Sequence, residues 1–265
     1  MHPGAWLLWA MSAGLVAIST TNPFYLLPLL GVAWVVHAAC HRSGPQARSW
    51  RIFLLFGGLT ICTRTALVLW LPDIQLGSIV EAALEGLRLA VLLTVFGAYN
   101  TVSDPFGVLR LAPRRFHEPA LAAALALSIA PRTIAAVSTV REAQRLRGIE
   151  VGRFRSLPAL AVPVLETGME EAVVLAESMD ARGHGRGRRT RYRPERWGRR
   201  STAVAFASSM AVAVAAWALL RADPSLAMSA FPITWPQVSP VVLAAVLVLS
   251  LPAWLPQSAS ERTTK

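Results

Sequence analysis

An all-α, polytopic membrane protein is the fold class this sequence predicts, with about six transmembrane helices plus two to three cytoplasmic amphipathic helices. Three observations carry that expectation. Of 265 residues, 54% are apolar and 15% charged, with a mean hydropathy of +0.46, and a soluble chain of this size could not hide that much apolar surface. The apolar residues gather into stretches near the length a helix needs to cross a bilayer, roughly 20 residues at a rise of about 1.5 Å each. The basic residues collect in some connections between these stretches and avoid others.

Four stretches precede residue 100, at about 5 to 20, 24 to 40, 52 to 71 and 78 to 99. The last two span comfortably; the first two, at roughly 16 residues, call for bilayer thinning or interfacial flanks. Trp6, Trp9, Trp34, Trp50 and Trp70 stand near their ends, where aromatic belts form. The first stretch is read as a span, not a cleaved leader, because no Lys or Arg precedes it and no clean small-x-small site follows. Two more stretches, Ala203 to Leu220 and Val238 to Leu255, flank a connector containing Asp223 and Pro224. Arg42, Arg48 and Arg51 mark the 41 to 51 connection, whereas 19 to 23, 72 to 77 and 222 to 236 contain no basic residue. Basic loops stay cytoplasmic. The expected layout is therefore residues 1–99 with four spans, 100–201 as a cytoplasmic region, and 202–265 with two spans and a tail. Both termini then lie on the cytoplasmic side of the cell inner (plasma) membrane.

The central region contains two apolar runs that are not read as spans, Ala120 to Ala136 and Leu157 to Ala176. In the second, Glu166, Glu170, Glu177 and Asp180 recur at helical spacing on one face, with Leu165, Met169, Ala172, Ala176 and Met179 on another. So many acids in one span would be very costly in lipid. The first run is interrupted by Pro131 and Arg132 and followed by Arg141, Arg145 and Arg147. Two long amphipathic helices are expected, with strongly basic chain at and after their C-terminal ends.

Both end alike. Leu146-Arg147-Gly148 closes the first and Ala181-Arg182-Gly183 the second. Glycine suits the left-handed residue that ends a helix, and an arginine before it is favoured by the helix macrodipole. A single such ending is an ordinary cap; two of them on amphipathic helices within a polytopic chain are more informative.

With these residues in view, the sequence resembles the T component of energy-coupling factor transporters, the membrane scaffold of a class of ABC-type importers. The resemblance covers roughly residues 20 to 220, including Asn22-Pro23, the Thr101 to Pro113 stretch, AQRLRG and MDARGHG. In that family two Ala-Arg-Gly motifs end crossed cytoplasmic coupling helices, each docking on one of two ATPases. The second motif matches in full, and the first departs from it at Leu146. The resemblance implies docking by Leu146, Arg147, Gly148, Ala181, Arg182 and Gly183, with the two arginines as the docking charges. A guanidinium forms a bidentate fork with a carboxylate. It implies partnership with two ABC-type ATPase subunits and a substrate-binding membrane (S) subunit, and import of a vitamin or a transition-metal ion such as cobalt.

The remaining features fit a non-catalytic subunit. Lys265 is the only lysine among 26 basic residues, so a GxxxxGK[ST] phosphate loop and a buried Schiff-base lysine are excluded. No GxSxG elbow, HExxH helix or GxGxxG turn occurs, and no cofactor is expected. Cys40 and Cys62 form neither a CxxC pair nor a disulfide framework. His37, Cys40 and His41 have ligand-like spacing but lack a fourth ligand, so they are read as an interfacial cluster and no metal site is expected. Arg182 to Arg200 contains nine arginines and one acid, Glu195. With only Tyr192 and Trp197 to stack bases, it reads as a lipid-headgroup contact and not as a nucleic-acid site. Glu81, Glu85 and Arg88 share a face of the fourth span; Glu85 and Arg88 can pair, and the group is a candidate contact for a membrane subunit. The competing reading is a stand-alone polytopic channel or lipid-headgroup enzyme with a cytoplasmic Arg-rich anion site.

Overall fold

The computed structural model describes residues 1–40, 49–70, 75–148, 157–184, 186, 197–228 and 235–255, and among them there is no strand. The helices are α1 (Pro3–Ser19), α2 (Pro23–Cys40), α3 (Ser49–Leu69), α4 (Leu76–Val102), α5 (Pro105–Arg110), α6 (His117–Leu146), α7 (Leu157–Ala181), α8 (Arg199–Leu220), α9 (Pro240–Val248) and α10 (Leu251–Trp254). The fold class is all-α, as the sequence predicts. Contacts divide the chain into two units, Met1–Leu111 with Glu195–Lys265, and Ala112–Pro194. By length and composition α2, α3, α6 and α8 can cross a membrane, and α1 is a shorter apolar helix.

In the first unit α1 packs on α4 and α8, α2 packs on α4 and α9, and α3 packs on α4. Its helices turn small residues inward and large apolar ones outward. Ala5, Ala13 and Ala17 of α1 are buried while Leu8, Met11, Leu15 and Ile18 are exposed; in α8, Ala207, Ala211, Ala215 and Ala218 are buried while Phe206, Met210 and Trp217 are exposed. Water would penalise that arrangement, whereas in lipid the large residues face acyl chains and the small ones let helix backbones approach. The larger core residues Trp9, Tyr25, Leu26 and Leu29 are fully buried, and the Trp9 indole Nε1–H donates to the Leu249 carbonyl at 2.8 Å.

The α3 and α4 pair shows the same principle at closest range. Ala82, Gly86 and Ala90 recur every four residues along the buried side of α4. A Cβ added at Gly86 would lie 2.8 Å from the Ile61 Cα, and one at Gly97 would lie 2.8 Å from the Phe53 Cβ, whereas nothing lies within 4 Å of one at Gly58. Gly86→Leu should therefore force α3 from α4 and lower stability by about 1 to 3 kcal/mol. Gly58→Leu should leave the thermal midpoint in detergent nearly unchanged. Equal midpoints for the two variants would contradict the close seam.

One expectation needs correction. The last stretch, Val238 to Leu255, is not one helix: α9 ends at Val248, and Leu249 and Ser250 form a turn before α10. Pro252 has no N–H for the Val248 carbonyl, and its ring would crowd that carbonyl in a continuous helix. Pro131 and Arg132, which interrupt the first apolar run, lie inside the continuous α6, one of the two long helices expected; one lost hydrogen bond is tolerated in a helix of 30 residues.

Two sets of contacts gather opposite ends of the first unit. At one, Asn22 is fully buried, its Nδ2 donating to the Ser225 and Gln237 carbonyls, each at 2.8 Å, and its Oδ1 accepting from the Phe24 N–H. Beside it the Thr20 hydroxyl and the Thr21 N–H donate to the Leu226 carbonyl, and the Ser239 N–H donates to the Tyr25 hydroxyl. At the other end the His2 N–H donates to the Ser201 hydroxyl, the His2 ring lies against Trp197, and Asn100 donates to Ser49.

Candidate docking ends of two helices

In the second unit α6 and α7 pack on each other and end in the same way. Arg147 is the C-cap of α6, its N–H reaching the Ala143 and Gln144 carbonyls; Gly148 follows with φ +74° and donates to the Arg145 carbonyl at 3.0 Å. At the end of α7 the Arg182 N–H donates to Ser178, the Gly183 N–H to Asp180 at 2.8 Å, and the His184 N–H to Met179 at 3.0 Å, with Gly183 at φ +75°. The last two bonds form a Schellman ending, and Gly148 to Arg145 is the corresponding inner bond on α6. Only glycine takes that left-handed conformation without a Cβ penalty.

Each arginine thus occupies the residue immediately before the chain leaves the helix. Arg147, Arg182 and Ala181 are exposed, and Leu146 is 90% exposed. Among the described residues neither guanidinium has an ion-pair partner. Helix C-termini favour positive charge, so the backbone stabilises both arginines while leaving their forks open to a partner.

The candidate contact in α4 is rearranged. Glu85 pairs across to Arg64 of α3 at 3.0 Å, not with Arg88; Glu81 is exposed and Arg88 half-buried. Side chains at i and i+3 can meet, but the close α3 seam brings Arg64 into reach of Glu85 first. Spacing along the fourth stretch alone does not reveal Arg64 as a partner. Its signal is nevertheless plain: a single base well inside the third apolar stretch, facing acids in the next.

His37 is occupied elsewhere. Its ring stacks on Trp50, with centroids 4.1 Å apart and planes 10° apart, and its Nδ1 lies 3.0 Å from the Thr101 hydroxyl oxygen. That hydroxyl donates to the Ala98 carbonyl at 2.9 Å, so Nδ1–H is the donor toward Thr101. The Cys40 thiol points to the Pro252 carbonyl at 3.6 Å. His41 lies outside the described residues, among which no group of three His, Cys, Asp or Glu is placed to hold a metal. Much of the Arg-rich segment likewise lies outside them.

No protein-family model matches the chain. Two curated proteins do. The energy-coupling factor transporter transmembrane protein EcfT of Bacillus selenitireducens is 30% identical over 145 residues, covering 48% of this chain and 54% of that protein. The chain is similar to an energy-coupling factor transmembrane component. The EcfT of Exiguobacterium sibiricum is 27% identical over 148 residues, covering 45% of this chain and 55% of its own length. The chain therefore spans about half the length of the curated relatives it matches. This similarity agrees with the resemblance read from the two Arg-Gly motifs, and together with the apolar helices it places the chain among membrane proteins.

Proposed function

We propose that this chain is the transmembrane coupling subunit of an importer of the energy-coupling factor type. Two ATPase subunits dock on the ends of α6 and α7, and a separate substrate-binding membrane subunit packs on the spans. The observation that carries the reading is the pair of matched endings. Each presents an exposed arginine, without an ion-pair partner among the described residues, just before a left-handed glycine. A long helix behind each arginine makes a stiff lever, so movement of one ATPase against the other would move α6 relative to α7. ATP hydrolysis belongs to the partners, and specificity for a vitamin or transition-metal ion belongs to the substrate-binding subunit.

The topology is proposed with both termini cytoplasmic. It is supported by the grouping of ends in the first unit: the base-free 19 to 23 connection meets Ser225 and Gln237 around Asn22, while the starts of α1 and α8 meet around His2. Glu81, Glu85 and Arg88 remain a proposed contact for the membrane subunit, with Arg64 added.

Purification of the tagged chain from its own membranes in mild detergent tests the reading. It should bring down two ATPase polypeptides per chain and a small hydrophobic membrane protein. A chain that turns over a headgroup substrate or conducts ions with no ATPase present would favour the stand-alone alternative instead.

A further inference from the structure

The charged group in α4 is only half used within the chain. Arg64 holds Glu85 across the α3 seam at 3.0 Å, and a Cβ added at the intervening Gly86 would lie 3.5 Å from the Arg64 Cβ. Glu81 and Arg88 are left over: among the described residues neither makes an ion pair or a hydrogen bond. Seven residues, or two turns, separate them, so they lie on one line of the helix about 10 Å apart. The same line continues to Val95 and Val102, which are buried. The open part of this face is therefore the half of α4 nearer Leu76, and it carries one charge of each sign.

Depth makes the two charges costly. At 27 residues α4 is about 40 Å long, and it packs on α2 and α3, both long and apolar enough to cross a membrane. Arg88 lies twelve residues from its start, about 18 Å along, close to the middle of the span. Elsewhere in the first unit the outward residues are large and apolar, such as Leu8, Met11, Leu15, Phe206 and Met210. A line of opposite charges is not a lipid face, since ionisable groups at such depth pair with one another or line a polar cavity. A headgroup phosphate would have to sink almost to the bilayer centre to meet Arg88. A second copy, related by a twofold axis along the membrane normal, would bring Arg88 to the depth of Arg88 and Glu81 to that of Glu81, like charge against like.

We propose, on the membrane-subunit reading above, that this line receives one transmembrane helix of the substrate-binding subunit. That helix carries a carboxylate at the depth of Arg88 and a basic side chain about two turns nearer the Leu76 end, facing Glu81. Arg88 with the carboxylate forms the deep charge-assisted pair, and Glu81 with the base forms the shallow one. The neutral Arg64–Glu85 pair beside them stays within the chain. Opposite signs at two depths admit one vertical register: a slip of one turn breaks both pairs, and a slip of two turns sets acid against acid or base against base.

The test uses the complex purified from native membranes, with its small membrane subunit sequenced, and then coexpressed variants of the full chain. One span of that subunit should hold an acid near mid-depth and a Lys or Arg about seven residues from it. Arg88→Glu should cut retention of the subunit by roughly tenfold or more, and replacing the partner's acid with Arg should restore it. Glu81→Arg should be restored in the same way by an acid in place of the partner's base. The ATPases should stay in every variant. Arg88→Met supplies the folding control: it removes an unpaired charge, so the thermal midpoint of the chain purified alone should hold or rise while retention of the partner falls.

A membrane subunit with no acid in any span, undiminished retention in Arg88→Glu and Arg88→Met, or paired reversals that fail to restore binding would overturn the proposal. So would a dimer of this chain that Arg88→Glu dissociates, or a midpoint in Arg88→Met that falls along with retention. Two levels of failure are distinguishable. If the unmodified chain brings down ATPases but no membrane subunit, the membrane-subunit reading itself fails; if it brings that subunit down and every variant keeps it, only the charge assignment fails.

Discussion

Arg147→Glu combined with Arg182→Glu should eliminate ATPase copurification and ATP-driven uptake while leaving the chain folded in the membrane. Both guanidinium groups are exposed and unpaired among the described residues, so within the chain itself they contribute little beyond their interaction with the helix dipoles. That interaction is worth about 0.3 to 1 kcal/mol at each helix end. In a docked complex the same groups would be buried against carboxylates, and breaking such a pair costs roughly 2 to 5 kcal/mol, or about 30-fold to several thousand-fold in affinity. Reversing the sign adds repulsion to that loss. The binding defect therefore outweighs the folding defect by severalfold, and thermal midpoints should fall by no more than several degrees, about 2 to 4 °C for each kcal/mol lost. Each single variant should lose one of the two ATPases. Lysine at either site should give an intermediate result, since it keeps the charge but not the planar fork. Uptake that persists in the double variant would sink the coupling reading.

Local signals make much of this fold legible in the sequence. The apolar stretches coincide with α1 to α4 and α8 within a few residues, because a helix that must face lipid on its outer side has to be continuously apolar. Gly148 and Gly183 are legible as helix ends because left-handed backbone narrows the choice of residue so strongly. What stays hidden depends on register between helices. Hydropathy does not say that Gly86 lies against Ile61, and so cannot say that Glu85 meets Arg64 before Arg88. Proline alone does not locate a helix break: Pro131 sits inside a helix with ample flanking bonds, while Pro252 follows a helix of only nine residues and marks a real break. Asn22 is legible as part of a familiar dipeptide, but its partners lie more than 200 residues away.

That separation is the basis of the second large effect, Asn22→Asp. The substitution preserves shape and removes the amide donor. Asn22 is fully buried and saturated: two Nδ2–H bonds go to the Ser225 and Gln237 carbonyls and the Phe24 N–H comes to Oδ1. An ionised aspartate would still accept from Phe24 but would face both carbonyls with a negative oxygen. Leaving the buried Ser225 carbonyl unsatisfied costs roughly 1 to 3 kcal/mol, with the net worth of the lost bond to the carbonyl of the exposed Gln237 added, before any burial of charge is counted. A protonated aspartate recovers one donor, so burial among carbonyls should raise its pKa above that of the unfolded chain. Stability of the variant should then fall as pH rises through that raised value and recover as pH is lowered, a slope that the unmodified chain lacks at this position. Because these bonds join the α1–α2 corner to the chain between α8 and α9, the loss should reach beyond residue 22. Amide exchange at Leu226 and Ser239, whose neighbours Ser225 and Gln237 lose their side-chain donors, should accelerate along with exchange at Thr21. A thermal midpoint within about 1 °C of the unmodified chain, when even 1 kcal/mol moves a chain of 150 to 250 residues by about 2 to 4 °C, would show that the two connections are held together by something other than Asn22.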